Sequence, residues 1–260
     1  MKLNFELRAD ERIDCVNDNI QLIQKKDGLT FGTDALLLAA FVRSFPSAIA
    51  LDFGSGTGII SLLCATRKKC KKIFAVEAQK DFAELIERNV TLNNLSDSVK
   101  ALHTDVRELN YATLGCEADV IFSNPPYMRT GSGKTNANDA KTIARHEILG
   151  GIDDFCAAAA KNLKHGGLFY AVYRPERMTE LFYAMQHAKI EPKRLCLVCA
   201  DSSASPSLIL VEGKKGAAPE IKIEKPLYIY TDKTHETYSA EYTYILENGG
   251  FPANGRNNEK

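Results

Sequence analysis

The sequence predicts an α/β fold in which helices cover both faces of a mostly parallel β-sheet. Short apolar runs alternate with helical stretches such as Lys80 to Leu92, and one strand runs directly into a glycine-rich turn. Strands that alternate with helices are joined by crossover connections, so neighbouring strands should be parallel. The runs interpreted as parallel strands are Ala48 to Phe53, Lys72 to Val76, Val99 to Leu102, Asp119 to Ser123 and Leu168 to Tyr173.

The first elements of the chain precede this alternating region. Ile20 to Gln24 and Leu29 to Phe31 flank an Asp-Gly pair, which favours a tight turn and predicts an N-terminal hairpin. Thr33 or Asp34 can cap the apolar helix that follows to about Ser44, and Pro46 interrupts the chain after it.

Two later runs and the last residues complete the predicted domain. Leu195 to Cys199 and Ser207 to Val211 are close enough in sequence to pair antiparallel at an edge of the sheet. Gly249 to Lys260 is rich in glycine, asparagine and charge, which is typical of a flexible tail. We therefore expect a hairpin extension packed on the core over 1–32, a main domain over 33–248 and a tail over 249–260.

Composition limits the possible functions. A chain of 260 residues with 45% hydrophobic content can bury a substantial core. Its 33 basic and 33 acidic residues cancel, so a nucleic-acid partner would have to be held by local patches. The densest basic patch, Arg67 to Lys72, is interpreted as a solvated turn between a helix and a strand.

The chain is expected to be cytoplasmic and to have no membrane partner. Its seven cysteines are an odd number without paired spacing, and the residues after Met1 form no apolar signal segment. The longest apolar run, Ala35 to Val42, is far shorter than the roughly 18 residues that cross a bilayer. Cys196 and Cys199 have half the spacing of a zinc site, but no second ligand pair exists, so they are interpreted as core cysteines and no metal is predicted.

The glycine-rich turn is the strongest motif. Asp52 ends a strand and is followed by Gly54, Gly56 and Gly58 before a helix begins. Glycines allow a tight turn and let the backbone approach a ligand closely. A dinucleotide fingerprint would have glycine where this chain has Ile59, so the motif favours S-adenosylmethionine over a pyrophosphate cofactor.

Acidic residues follow the next two strands. Glu77 ends the second strand, where a carboxylate can accept hydrogen bonds from both hydroxyls of a ribose. An ordinary surface glutamate at the start of a helix is the alternative. Asp105 follows the third strand and can accept a bond from an adenine amino group, although a helix N-cap explains it as well.

Asn124, Pro125, Pro126 and Tyr127 follow the fourth strand and are the candidate active site. The Asn124 side-chain oxygen and the Pro125 carbonyl can each accept an N–H bond from an exocyclic amine, which aims the lone pair of the amine at a methyl donor. The same acceptors bind the nitrogen more strongly as it gains positive charge. Tyr127 can stack on a planar substrate. A loop that merely ends the strand is the alternative interpretation.

The glycine loop paired with Asn124 to Tyr127 resembles class I amino-methyltransferases acting on adenine N6 or glutamine N5. The segments 11–14, 23–28 and 31–39, together with 144–147 and 207–216, resemble the bacterial tRNA1(Val) adenine-N6 methyltransferases. The resemblance covers nearly the whole chain. It implies a Rossmann-like class I methyltransferase fold with a seven-stranded, mostly parallel sheet, one antiparallel edge strand, and helices on both faces.

The resemblance also implies roles for individual residues. The methionine end of the cofactor is closed over by Phe31, Thr33 and Asp34, and its amino-acid part contacts Asp52 and Gly54. Glu77 binds the ribose, while Asp105 and Val106 contact the adenine. The implied cofactor set is Phe31, Thr33, Asp52, Gly54, Gly56, Gly58, Glu77, Asp105, Val106 and Asn124. Substrate contacts are Pro126, Tyr127, Arg129, Lys134 and Arg145, the last three in a loop over 128–145 that composition alone would describe as a solvated loop.

The expected activity is N6-methylation of adenosine in tRNA, at adenosine 37 of tRNA1(Val), by a monomer or weak dimer. An anticodon loop is largely single-stranded, so its bases can be moved into a pocket at low energetic cost. Methylation of a release-factor glutamine is the alternative enzyme activity. The alternative outside the enzymes is a protein that binds the cofactor without catalysis. The intact Asn124 to Tyr127 motif argues against it.

Overall fold

The α/β prediction is confirmed by a computed structural model, which describes residues 7–26, 31–126 and 150–252. The strands are β1 Glu11–Asn17, β2 Ile20–Lys25, β3 Phe45–Phe53, β4 Cys70–Glu77, β5 Val99–His103, β6 Ala118–Ser123, β7 Leu163–Tyr173, β8 Ile190–Cys199, β9 Pro206–Lys215, β10 Lys222–Ile223 and β11 Leu227–Tyr228. The helices are α1 Thr33–Phe41, α2 Ile59–Thr66, α3 Lys80–Leu92, α4 Tyr111–Leu114, α5 Ile152–Asn162, α6 Met178–His187 and α7 Ala240–Asn248, with a 3-10 turn at Pro175–Arg177.

The large sheet has the order β10-β8-β9-β7-β6-β3-β4-β5, with β11 also paired to β8. Its seven long strands match the predicted number, and the two-residue strands β10 and β11 extend the β8 edge. The antiparallel strand β9 pairs with both β7 and β8, so it lies one position inside β8, the last of the long strands on that side. The predicted antiparallel pair of Leu195–Cys199 with Ser207–Val211 is confirmed. Because β3 has β4 on one side and β6 on the other, the chain changes direction across the sheet at β3.

Alternating residues of the strands bury opposite faces of the sheet. Ala50 of β3 belongs to a core layer that includes Leu38 of α1 and Leu62 of α2, whereas Leu51 packs in a second layer with Phe155 of α5. The apolar side chains on each face of the sheet are removed from water only where helices cover that face. The described helices therefore pack on both faces, as expected.

The N-terminal hairpin that the structure describes is formed by β1 and β2. They pair antiparallel, and their connection is the two-residue turn Asp18-Asn19. The Asn17 side-chain oxygen accepts a bond from the Asn19 amide at 2.9 Å, which stabilises this turn locally. The Asp-Gly pair that suggested the other turn lies outside the described residues. The hairpin packs on α3, where Asn89 accepts a bond from the Ile23 amide at 2.7 Å and donates to the Ile23 carbonyl at 3.1 Å.

Helix α1 begins and ends differently from the prediction. Gly32 is its N-cap, so no side chain accepts a capping hydrogen bond at that position. Thr33 and Asp34, the predicted caps, already belong to the helix. The helix ends at Phe41, and Pro46 falls within β3. Proline is tolerated there because the pairing of β3 with β4 is irregular between Phe45 and Ile49.

Lys69 corrects the interpretation of the basic patch. The patch does connect α2 to β4, but Lys69 is buried, and Cys70 to Lys72 belong to the strand. The Lys69 ammonium donates to the carbonyls of Ala39, Ala40 and Val42 at 2.7, 3.1 and 2.6 Å. These are carbonyl groups at the end of α1, so this cation stabilises a helix C-terminus rather than lying in solvent.

The C-terminal part of the described chain also contacts the core. The rings of Phe251 and Phe41 meet edge to face with centroids 5.8 Å apart. The rest of the predicted tail, 253–260, lies outside the described residues, and the division into three segments stays a prediction. Within 7–26, 31–126 and 150–252, no helix is long and apolar enough to cross a membrane.

Candidate active site

The carboxyl ends of β3, β4 and β6 meet at one edge of the sheet and bring most of the predicted site residues together. The amides of Gly54 and Ser55, which follow β3, donate to the carbonyl of Val76 in β4 at 3.0 and 3.1 Å. The Ser123 hydroxyl, at the end of β6, donates to the Phe53 carbonyl at 2.9 Å. In open α/β sheets, ligands bind outside this edge where the strand order reverses.

Gly58 is required by the geometry of the turn. Its φ is 83°, and a Cβ at this position would approach Ile86 to 3.2 Å. Both the left-handed backbone and the contact with α3 therefore exclude a larger residue without a shift. The turn consequently brings a backbone without Cβ atoms at Gly54, Gly56 and Gly58 to the start of α2, which leaves room for a ligand to approach closely.

Asp52 is fully buried at the end of β3. One carboxylate oxygen accepts bonds from the amide and hydroxyl of Ser61 at 3.2 and 2.7 Å. The other, Oδ1, has no hydrogen-bond partner among the described residues. Burial raises the pKa of Asp52 to about 7, against the opposing effect of the Ser61 hydrogen bonds. An orphaned buried oxygen of this kind can accept a bond from a cationic group.

Glu77 ends β4 and is also buried, with 2% of its surface exposed. Its Oε2 accepts a bond from the Gly56 amide at 3.0 Å, and its Oε1 accepts one from the Gln79 amide at 2.9 Å. Burial raises the pKa of Glu77, which these amide bonds oppose. A carboxylate has about four acceptor sites, so Glu77 retains capacity for the hydroxyls of a ribose.

Asp105 follows β5 and is engaged by a neighbouring cation. Its two oxygens accept from the Arg107 guanidinium at 2.9 and 2.5 Å, and the Arg107 amide donates to Oδ1 at 2.8 Å. These bonds hold the pKa of Asp105 below its ordinary value. A ligand amino group at Asp105 would share the carboxylate with Arg107. Val106 is buried and packs in the core layer beneath α5.

Asn124 follows β6 and is held by α1. Its side-chain amide donates to the Asp34 carboxylate at 2.9 Å. The other oxygen of Asp34 accepts from the Ala35 amide at 2.9 Å, and a Cβ on Gly32 would come within 2.7 Å of that oxygen. Gly32 therefore leaves the space in which Asp34 can reach Asn124. With its nitrogen bound to Asp34, Asn124 directs its oxygen away from that carboxylate.

The start of α1 is fixed from both sides. The Phe31 amide donates to the Gln24 side chain at 3.2 Å, and Gln24 is itself bound to Asp14 at 2.5 Å. Burial raises the pKa of Tyr242 in α7, and the neighbouring Thr33 side chain opposes this shift. The structure thus places Phe31 and Thr33 beside Asp34, at the edge of the sheet that carries Asn124.

Some predicted residues cannot be placed. Pro125 is buried and Pro126 is half-buried. Tyr127, Arg129, Lys134 and Arg145, with the predicted loop that contains the last three, lie outside the described residues.

Two residues of the site, Ser61 and Arg107, were not singled out from the sequence. Asp34 was expected to close over a cofactor, but its bond to Asn124 was not predicted. Arg107 could have been suspected, because an arginine two residues after an acid in a turn can fold back on it. No local signal identifies the partner of Asn124, which is 90 residues distant.

These residues fit S-adenosylmethionine. The orphaned Asp52 oxygen suits its cationic amino-acid end, the acceptors of Glu77 suit its ribose, and the glycine turn leaves room for close backbone approach. In the described ranges no group of three His, Cys, Asp or Glu side chains is arranged to hold a metal ion. Cys196 and Cys199 are both buried in β8, as interpreted from the sequence.

Comparisons with known proteins agree with this geometry. The Methyltransferase small domain family model matches residues 25–191. A tRNA1(Val) (adenine(37)-N6)-methyltransferase from a Flavobacteriaceae bacterium (strain 3519-10) is 24% identical over 84% of this chain and 90% of its own length. A protein of the same name from Phocaeicola vulgatus is 28% identical over 78% and 86%.

Solved structures support the fold. A predicted O-methyltransferase from Agrobacterium tumefaciens superposes with a TM-score of 0.66 at 20% identity, covering 84% of this chain and 96% of that one. M. jannaschii TYW2, in complex with AdoMet, gives a TM-score of 0.54 at 15% identity, covering 81% and 88%. Since the family model spans well over half of the sequence, the chain belongs to the Methyltransferase small domain family.

Proposed function

We propose that this protein transfers a methyl group from S-adenosylmethionine to N6 of adenosine 37 in tRNA1(Val). The observation that carries the proposal is the Asp34–Asn124 hydrogen bond of 2.9 Å beside the glycine turn. It orients the Asn124 side chain, whose oxygen can accept a bond from an exocyclic amine. The names of the relatives supply the substrate, because they are tRNA1(Val) (adenine(37)-N6)-methyltransferases that align over most of this chain.

Asn124 supplies positioning and charge stabilisation. The lone pair of an exocyclic amine is delocalised into the ring, so the amine is a weak nucleophile until its N–H groups are held out of that conjugation. The Asn124 oxygen accepts one N–H, and the Pro125 carbonyl accepts the other. The negative charge of Asp34 polarises the Asn124 amide, so the oxygen becomes a better acceptor as positive charge develops on the nitrogen.

When bound, the cofactor would supply a methyl group activated by an adjacent positive sulfur; the S–C bond would break as the N–C bond forms, the sulfur would leave as a neutral thioether, and the methylated amine would release one proton to water. Asp52 balances the cationic amino-acid end with its unpartnered oxygen, and Glu77 binds the ribose hydroxyls. Tyr127 and the cations Arg129, Lys134 and Arg145 are proposed to contact the base and the phosphates. These contacts need a base taken out of its stack, which is least costly in a single-stranded loop.

The described residues of the site all come from one chain, which supports action as a monomer or weak dimer. The seven free cysteines, scattered over the described chain, support a reducing compartment such as the cytoplasm.

The test is transfer of labelled methyl from S-adenosylmethionine to total tRNA from a strain that lacks this protein, followed by nucleoside analysis. We expect label in N6-methyladenosine with the wild-type protein and none with Asn124→Ala. Asn19→Ala, in the exposed turn of the hairpin, is the matched control and should retain full activity. Label on a protein glutamine, with no labelled nucleoside, would contradict the proposal and favour the glutamine methyltransferase alternative.

A further inference from the structure

An exposed group of aromatic side chains lies beyond β11. Tyr230, His235 and Tyr238 form this group, which we call the aromatic platform. The rings of Tyr230 and His235 are stacked with centroids 4.6 Å apart and an interplanar angle of 19°, and Tyr238 lies 5.3 Å from Tyr230. Tyr238 is 47% exposed, and the His235 side chain is 45% exposed. Only Tyr230 and His235 are stacked; the Tyr238 ring is tilted by 32° against Tyr230, and the group leaves much of its aromatic surface exposed.

The platform is held rigid by its own loop. Residues Tyr230 and Tyr238 form an antiparallel bridge, and the Thr231 amide donates to the Thr237 carbonyl at 3.0 Å. His235 adopts a φ of 56°, and its Nε2 lies 2.9 Å from the buried carboxylate of Asp201. A left-handed histidine held in place by a buried acid keeps its ring on Tyr230, so ligand binding would require little further ordering.

The platform lies at the same edge of the sheet as the candidate active site. Strands β7 and β8 are both antiparallel to β9, so they run in the same direction. Because β7 is parallel to β6 and β6 is parallel to β3, the carboxyl ends of β8, β6 and β3 lie at the same edge of the sheet. The Tyr230 amide donates to the Ala200 carbonyl just after β8, at 2.8 Å. In the sheet order, β8 is three strand positions from β6, a separation of roughly 14 Å at the usual spacing.

A short series of contacts connects the platform to Asn124. The Tyr238 ring meets Tyr242 edge to face, with centroids 5.0 Å apart. Helix α7, which contains Tyr242, packs against α1, where Thr33 precedes Asp34, the residue that accepts the bond from Asn124. The first turn of α1 thus carries a residue of the catalytic site and a support of the platform.

We propose that the aromatic platform stacks an unpaired nucleobase of the RNA that flanks the adenosine bound at Asn124. This inference rests on the proposed function and adds a second base-binding position to it. Tyrosine and histidine faces are common stacking partners for splayed bases. The exposed faces of Tyr238 and His235 suit a base placed within a few nucleotides of the target.

The charges around the platform favour a base over a phosphate. Asp201 lies directly behind His235, and the same loop carries Asp232 and Glu236 with one cation, Lys233, so negative charge predominates. These carboxylates would repel a phosphate, whereas a nucleobase is uncharged and is bound through its face. The phosphates must therefore be held elsewhere on the protein.

Tyr238→Ala tests the platform, with Tyr238→Phe as the variant that keeps the ring. Stacking on one aromatic ring contributes about 1 to 3 kcal/mol, so we expect the KM for an anticodon stem–loop RNA to rise by about 5- to 150-fold in Tyr238→Ala. The kcat and the affinity for S-adenosylmethionine should stay near wild type in both variants. Tyr183→Ala is a matched control, because Tyr183 is 67% exposed and stacks on His187 in α6, on the opposite face of the sheet.

A set of RNAs in which each loop nucleotide beside the target is made abasic in turn separates this inference from the proposed function. We expect one abasic position to raise KM for the wild-type protein and to have no further effect with Tyr238→Ala, because the same contact is already lost. If wild-type protein methylates the adenosine but the two changes are additive at every position, the proposed function stands and the platform is overturned. If no RNA is methylated at adenosine, the proposed function fails as well.

Discussion

The Asn124 side-chain amide donates to the Asp34 carboxylate across 2.9 Å, joining the end of β6 to the first turn of α1. Asp34 is therefore a positioning residue in this account. It fixes which way the Asn124 amide points and adds negative charge behind it. Its position depends on Gly32, since a Cβ there would meet the Asp34 oxygen at 2.7 Å.

Replacing Asp34 should lower kcat more than it changes substrate binding. Asp34→Ala removes the acceptor that orients the Asn124 amide, and misplacement of a reacting group by about 1 Å can lower the rate about 100-fold. We expect Asp34→Ala to reduce kcat by about 10- to 100-fold in steady-state methyl transfer. Asp34→Asn keeps an oxygen acceptor without the charge and should recover part of this loss. Equal loss in both variants, or a change in KM alone, would contradict the positioning role.

Glu77→Gln should weaken cofactor binding. The substitution removes the charge that the Gly56 and Gln79 amides stabilise, and it replaces one acceptor oxygen with a donor. Hydrogen bonds to a charged group contribute about 1.5 to 3 kcal/mol, so the Kd for S-adenosylmethionine should rise by about 10- to 100-fold in calorimetric titration. Glu87→Gln, on the exposed face of α3, should bind like wild type. An unchanged Kd in Glu77→Gln would exclude the ribose role.

The buried carboxylate of Asp52 should make the cofactor-free protein less stable as pH rises. Its folded pKa, about 7, lies above the ordinary value of 3.8, so the folded state binds the proton more tightly than the unfolded state does. The stabilisation is complete below the unfolded value and is lost as pH rises towards 7. Asp52→Asn should therefore show a flatter dependence of thermal stability on pH between about 4 and 7. Parallel curves for the two proteins would contradict this assignment.

Two glycines of the turn provide a matched comparison of stability. Gly56 and Gly58 both have positive φ, but only at Gly58 would a Cβ press on Ile86. A left-handed backbone costs about 1 to 2 kcal/mol for alanine, so Gly56→Ala should lower the free energy of unfolding by about that amount. Gly58→Ala adds the contact with α3 and should lower it further in urea denaturation. If Gly56→Ala lowered the free energy of unfolding more than Gly58→Ala does, the contact of the new Cβ with Ile86 would be relieved without cost.

The parts of the fold and site that are local in sequence could be predicted. The turn from Asp52 to Gly58 and the acid at Glu77 follow from short motifs next to strands, and the described structure brings them to one edge. The number of long strands in the large sheet was predicted correctly because each of these strands coincides with its own apolar run. The two-residue strands β10 and β11 carry no such run, so nothing in the sequence indicates them.

The parts that depend on tertiary contacts could not be predicted. The turn at Asp18 and Asn19 was not predicted because it contains no glycine, and the Asn17 side chain stabilises it instead. Lys69 has the composition of a surface residue but is buried by the end of α1. No local pattern marks His235, because its partners, Asp201 and Tyr230, meet it only in the folded chain.

Site-resolved methylation of tRNA1(Val) tests the central claim most directly. Transcripts with adenosine or guanosine at position 37 are incubated with the protein and S-adenosylmethionine, and the methylated nucleotide is located by mass spectrometry of nuclease fragments. The account predicts N6-methyladenosine at position 37 of the adenosine transcript, none in the guanosine transcript, and none with Asn124→Ala. Methylation at another position, or equal methylation by Asn124→Ala, would contradict it.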